Sequence, residues 1–482
     1  MSTLLNLKYG LVFLLFLASI TQIEGTIDGL EFTNLPPTRI QGTIPEDLNG
    51  NFYQSVVTSV QRKNGIQSCI LDGDGGVFSM KFQGGKALAT YKFVKSDTFI
   101  EEEKQDMILF NSICQYSPNL FSRYFSQSAN RSNTRTLSLK NKLLSFYEGG
   151  IPFELDSVNL ETIGQDNFNG GLRPSNRVLA HTREDETGIY AVSLGMAFMA
   201  KHMNIYKLDK DGNVVMTGNY ISPDRAFSIT HDFVIAGNYI LIINYGVKIN
   251  LYKLFFKLEP IGSCFEEDPN LKNHILIFNK ETLEHVKTIE YERIFSLHYT
   301  NGFVKDNNII FDIAEYENFG HIKKLFSTRG NYDDIPLASL FRYEINLTSW
   351  EVKRRNFYKE ICEFPNVRDG QTGKEHMETL TLCLKLDKSA KIIPEVVKLN
   401  KIGEEIVKKS LEIDLNTDWY SEALFANGLL KEYVIYLTYH NYGSKNASVK
   451  AYIRDADTLD LVAILEWDKN VGRGFHAIFS QN

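Results

Sequence analysis

The chain has 482 residues, 43% of them hydrophobic and 12% aromatic, with a formal net charge of −7. That balance lacks the clustered basic residues on which phosphate binding rests, so nucleic acid is excluded as the main ligand. No interior stretch reaches the ~18 consecutive apolar residues of a membrane-spanning helix.

At the N-terminus, Lys8 precedes the apolar run Leu11–Ala18, and small residues follow at Gly25 and Thr26. This pattern predicts a secretory signal peptide over residues 1–25. An uncleaved membrane anchor is the alternative, disfavoured by the short apolar run. Sequons at Asn130, Asn346 and Asn446 fit entry into the secretory pathway as glycosylation sites. Five cysteines (Cys69, Cys114, Cys264, Cys362 and Cys383) show no zinc-type spacing, and one or two disulfides fit an oxidising compartment. Asp72-Gly73-Asp74-Gly75 lacks the rest of a calcium loop and reads as a tight turn.

Helical signal is scarce, confined to Glu101–Met107 and Tyr358–Ile361. One unit recurs instead: an apolar strand, a turn with Asp or Asn, a Leu or Trp, then another strand. It appears at Phe153–Thr162, His274–His285, Leu340–Trp350 and Val449–Asp460, with an Asp-Gly variant at Met203–Val214. Each reads as a β-hairpin. Five hairpins of one design predict an all-β propeller, since a β-sandwich of this length would have to be repeated several times. No Pro/Ser-rich linker divides residues 26–482, which are expected to form one domain. Lys248–Leu258, with Leu254, Phe255 and Phe256, interleaves lysines with large apolar side chains. It reads equally as a membrane-interfacial segment or as a buried strand with snorkelling lysines.

Four histidines sit at or beside the edges of strand-like segments: His181, His231, His298 and His476. Taken singly, each reads as a hydrogen-bonded structural residue. Brought together from several blades, neutral imidazoles can hold a transition metal without a carboxylate ligand, and Fe, Cu, Zn and Ni all suit them. His202 lies in a polar segment and is expected to be exposed. Glu315 and Glu317 are close in sequence, but nothing sets them opposite each other as a glycosidase pair.

The surrounding motifs carry more. Asp72-Gly73-Asp74-Gly75, Glu148-Gly149-Gly150-Ile151-Pro152, His231-Asp232-Phe233, Glu363-Phe364-Pro365 and Gly474-Phe475-His476 stand in the order and spacing of one family. From about Pro45 to Phe479 the chain resembles the carotenoid cleavage oxygenases. The resemblance implies a seven-bladed β-propeller with loops capping the active-site face, and one non-haem Fe(II) on the four histidines. It also implies three glutamates behind the ligands, Glu148 for His231, Glu363 for His298 and Glu422 for His476, leaving His181 without a carboxylate. Three departures mark a divergent member. Gly50–Gln54 runs on into Ser55-Val56-Val57 where the family has Arg-x-Gly-Pro, Asn301-Gly302-Phe303-Val304 replaces Asn-Ala-Tyr-Glu, and Ala477 stands where glycine is usual.

The function so implied is cleavage of a conjugated C=C bond of a carotenoid or apocarotenoid by O2, giving two carbonyl products. The substrate would be an apolar polyene or aromatic molecule reached with peripheral membrane contact. Stilbene cleavage and retinoid isomerisation are alternatives within the fold. Stilbene cleavage would need a base for the phenol, which the sequence does not locate. A secreted propeller that binds without catalysis is the alternative of another class. Seven retained ionisable groups weigh against it, because buried charges are costly to keep.

Overall fold

The computed structural model describes residues 30–481 apart from 59, 67–69, 141, 198–199, 223–227, 317–318, 320–337, 387–391, 416 and 442–443. The signal-peptide expectation over residues 1–25, Cys69 and Glu317 therefore lie outside the described residues.

The strands form six main antiparallel sheets. One of them has seven strands, from Phe295–Lys305 to Glu405–Ser410, and is two four-stranded blades fused through the 15-residue strand Val352–Asn366. Seven blades result. The ring is closed by strand Arg473–Ser480, which pairs with Gly50–Thr58 from the other end of the chain. Apolar clusters fill the spaces between sheets. One gathers Phe52, Phe78, Tyr433, Ile453 and Trp467 from the two sheets that flank the closure.

The five hairpins are present, and four share one mechanism. Asp156, Asn279, Asn346 and Asp455 each accept two backbone N–H groups, two and three residues on, through the side-chain Oδ1. The fifth residue, Leu160, Leu283, Trp350 or Leu459, donates its N–H back to that residue's carbonyl at 2.8–2.9 Å. Each takes a positive φ of 56–62°. Such a conformation costs a bulky residue about 1–3 kcal/mol. Burying the leucines, which are at most 2% exposed, offsets it by roughly 1.5–3 kcal/mol each. The recurrent Leu or Trp is thus the plug of each corner.

Among the described residues three α-helices interrupt the sheets: α1 (Asp97–Gln105), α2 (Leu120–Phe125) and α3 (Leu251–Phe255). Each starts on a side-chain cap, Ser96 accepting from Phe99 N, Asn119 from Ser122 N and Asn250 from Lys253 N.

Several expectations need correction. Tyr358–Ile361 is not helical but lies inside the long strand Val352–Asn366, where pairing with Ser339–Asn346 overrides local propensity. The Lys248–Leu258 segment leaves its strand at Ile249 and turns into α3, so the buried-strand reading fails. His202 is half-buried on strand Ala200–Leu208. Asp72-Gly73-Asp74-Gly75 is more than a turn. Asp72 accepts the Cys114 N–H, and Asp74 pairs with the buried Arg62 and Arg131. At Gly75 a Cβ would lie 2.2 Å from the carbonyl oxygens of Arg131 and Ser132, so only glycine allows this approach. Cys362 bridges to Cys383 across paired strands, Cys114 is also disulfide-bonded, and Cys264 is buried.

Candidate metal centre

Each blade sends one of seven residues to the axis. His181 and His231 come from breaks in the innermost strands of successive blades, between Arg177–Val178 and Arg183–Asp185 and between Ser228–Ile229 and Val234–Ala236. His298 and His476 lie on the strands Phe295–Lys305 and Arg473–Ser480. Glu148 comes from the turn after Leu143–Phe146, Glu363 from the far end of the fused strand, and Glu422 from the gap between Trp419–Tyr420 and Leu424–Asn427.

The candidate ligand nitrogens of the four histidines all lie within 4.8 Å of one another. Nε2 of His181 is 3.2 Å from Nε2 of His231, and the rings of His181 and His476 meet edge to face at 4.4 Å. Nδ1 of His298 donates to Glu363 at 2.7 Å, and Nδ1 of His476 to Glu422 at 3.2 Å. Nδ1 of His231 lies against the Glu148 carboxylate. With the proton held on Nδ1, the Nε2 lone pairs of these rings are free to face inward. Among the described residues no carboxylate is within hydrogen-bond distance of His181. Its Nδ1 faces Nη1 of Arg135 at 3.1 Å, with Asp232 at 3.8 Å.

Electrostatics favour neutral donors at two of the four. Burial, reinforced by the neighbouring imidazoles, holds His181 well below its ordinary value. Burial also takes His476 down to about 4 against the pull of Glu422. Burial opposes charge on His231 too, but Glu148 outweighs it and the pKa rises. Glu363 and Glu422 sit below the usual carboxylate range despite their burial, because His298 and His476 stand against them. Four inward-facing imidazoles with carboxylates behind three of them fit a divalent transition metal, a donor set with no other evident use.

The glutamates differ in burial. The side chain of Glu422 is 8% exposed, that of Glu363 22% and that of Glu148 35%. Glu363 accepts also from Phe364 N and from the Tyr316 hydroxyl, and Glu422 from Ala477 N and the Asn366 amide. Phe364, at φ 53°, stacks its ring on His298 at 5.0 Å. Arg135, Arg183, Asp232, Tyr316 and Phe364 were not singled out from the sequence. For Asp232 and Phe364 the signal was there, inside the quoted motifs.

Away from the axis, the segment with Leu254, Phe255 and Phe256 is exposed, Phe255 to 78% and Phe256 to 51%, with Leu254 half-buried. Helix α2 adjoins it: the Tyr124 hydroxyl donates to the Phe256 carbonyl, and Arg123 and Lys257 both approach the Tyr116 ring. Phe121 and Phe125 of α2 are 73% and 74% exposed. The three sequons fare differently. Asn446 is exposed, and Asn346 caps its hairpin turn. The amide of Asn130 donates to Ile151 and its Oδ1 is buried, with Ser132 of the sequon fully enclosed, so Asn130 is withdrawn as a glycosylation site.

The profile of the RPE65 family, retinal pigment epithelial membrane protein, matches residues 30–481. The apocarotenoid-15,15'-oxygenase of Synechocystis sp. is 26% identical over 349 residues, covering 70% of this chain and 71% of that protein. Resveratrol cleavage oxygenase 1 of Chaetomium globosum is 28% identical over 52% of this chain and 40% of its own length. A solved structure of cobalt-substituted Synechocystis ACO shares the fold, with TM-score 0.83 at 21% identity over 98% of this chain and 99% of the other.

Proposed function

The chain belongs to the RPE65 family of carotenoid cleavage oxygenases, and from that premise we propose an Fe(II) dioxygenase that cleaves a conjugated C=C bond of a carotenoid or apocarotenoid. The observation that carries this is the one-per-blade set of four histidines and three glutamates. One alkene and one O2 give two carbonyl products, with both oxygen atoms accounted for. Iron, held by His181, His231, His298 and His476, would supply the O2 chemistry. The protein's share is to hold these rings aimed, and to align one double bond of a long substrate, so that position of cleavage is set by fit.

A cavity of about 150 Å³ supports an apolar route inward, lined among others by Tyr245, Val247, Ile294, Phe295 and Phe319 with the Arg293–Glu267 pair. Phe295 precedes His298 by three residues and its ring adjoins Tyr316, which touches Glu363. The exposed faces of α2 and α3 are suited to rest on a lipid surface, from which such substrates would enter. Entry into the secretory pathway is supported by the Cys362–Cys383 bridge and by the accessible sequon at Asn446. Sensitivity of its mass to a glycosidase tests that route.

The deciding experiment incubates iron-loaded protein with a panel of apocarotenoids, a stilbene and a retinyl ester under O2. Two aldehydes from a polyene, with about one iron per chain, uphold the reading. Cleavage of the stilbene alone would favour the kind of reaction for which the Chaetomium relative is named. Isomerised retinoid or no turnover at all would replace the proposal.

A further inference from the structure

We propose that Asp232 and Arg183 are positioning residues, an ion pair with a buried carboxylate that sets three ligand-bearing segments in register about the centre. The inference rests on reading the four histidines as a metal site.

Each partner sits beside a ligand in the chain. Arg183 follows His181 by two residues, Asp232 follows His231, and Tyr299 follows His298. Arg183 Nη2 donates to Asp232 Oδ2 at 2.5 Å and to the Tyr299 carbonyl at 2.8 Å, while its Nε donates to the Phe233 carbonyl at 2.9 Å. Asp232 accepts the Tyr299 N–H at 3.0 Å and the Phe233 N–H at 2.7 Å. The two groups therefore grip Tyr299 from both sides, its N–H by the carboxylate and its C=O by the guanidinium. Asp232 is 1% exposed, so these bonds form away from water and are strengthened by it.

Sheet pairing cannot supply this register. His181 and His231 lie in gaps of their inner strands, where the ladder is interrupted. The strand of His298 shifts register against its neighbour twice, between Ser296 and Tyr299 and between Tyr299 and Gly302. A slip of one residue would turn His298 to the opposite face. The glutamates act on imidazole rings. The Asp232–Arg183 pair acts on the backbones that carry them. His181, which lacks a glutamate, depends most on this pair and on the Arg135 guanidinium behind its ring.

The test is Co(II) titration of purified protein, read by the visible absorption of the bound ion, with thermal unfolding in parallel. Asp232→Asn keeps shape and an acceptor but removes the charge opposite Arg183. Asp312→Asn is the control: Asp312 is as buried, pairs with Arg342 through two bonds of 2.7 Å, and touches none of the four histidines. Asp232→Asn is expected to weaken Co(II) about 10–100-fold and to change the band shape. Asp312→Asn is expected to lower the melting temperature comparably yet bind Co(II) as wild type does. Arg183→Lys should recover part of what Arg183→Gln loses. Should Asp232→Asn fail to fold, the two Arg183 variants decide. Wild-type affinity and spectrum in Asp232→Asn, in Arg183→Gln, or equal loss in the control, overturn the inference alone. A wild-type protein that takes up no Co(II) overturns the metal reading and this inference with it.

Discussion

The axis of this propeller and its pair of short helices break the usual rule of protein interiors in opposite directions. Along the axis, His181, His476, Asp232 and Glu422 are almost wholly buried. In α2, α3 and the residue that ends α3, Phe121, Phe125, Phe255 and Phe256 face solvent. Buried ionisable groups and exposed aromatic clusters both work against stability or solubility unless something binds to them. The contrast teaches where to look for ligands. A polar core wants an ion, and an apolar surface wants another apolar phase.

The sharpest break of that contrast is at the axis. His298→Ala is expected to abolish uptake of iron and turnover, read by metal analysis after reconstitution and by product formation. Survival of full occupancy would mean the four rings are not one site. Glu363→Gln should lower iron affinity or activity about 10–100-fold. Glu148→Gln should lie at the lower end of that range, because its carboxylate is the most exposed of the three and does not carry the added Phe364 and Tyr316 contacts of Glu363. Equal effects would show that ring contact alone matters.

At the helices, Phe255→Ser with Phe256→Ser should weaken vesicle binding at least tenfold, since burying two such side chains is worth roughly 1.5–3 kcal/mol each. Stability should stay within about 0.5 kcal/mol and iron content unchanged, because the rings are exposed. Unfolding of this variant would return the segment to the core.

The smallest effect belongs to an ordinary corner. The Lys431 ammonium, then the turn N–H groups of Thr458 and Asp457, hold the Asp455 carboxyl down to about 2 from 3.8. A depressed acid contributes stability above its unfolded value, and that contribution fades as pH falls through the folded one. Asp455→Ala should therefore cost under about 1 kcal/mol at pH 7 and nearly nothing at pH 2, by thermal melts at both.

Much of this was legible in the sequence. The hairpins could be read because the Asx residue and the Leu or Trp four positions on are what the corner physically needs. The histidines and glutamates stood out only through their motifs, since no spacing links residues delivered by seven separate blades. Tyr358–Ile361 was misread because local helical preference yields to a partner strand earlier in the chain, where Leu340 faces Tyr358 and Ser339 faces Ile361. Asn130 was misread because a sequon says nothing of the carbonyl its amide will meet. Arg183 was invisible: an arginine's value as a clamp depends on Phe233 and Tyr299, which only folding brings to it.

The strand that closes the ring, Arg473–Ser480, carries His476 and follows the segments that carry the other three histidines. A protein emerging from the ribosome can assemble its earlier blades, yet the four imidazoles cannot meet until this strand has been released and has paired with Gly50–Thr58. Loading on all four imidazoles is thereby tied to closure of the ring. A chain in which this strand had not yet paired would carry three of the four imidazoles on an unclosed ring, so a fully held ion would report that the two ends of the ring have met.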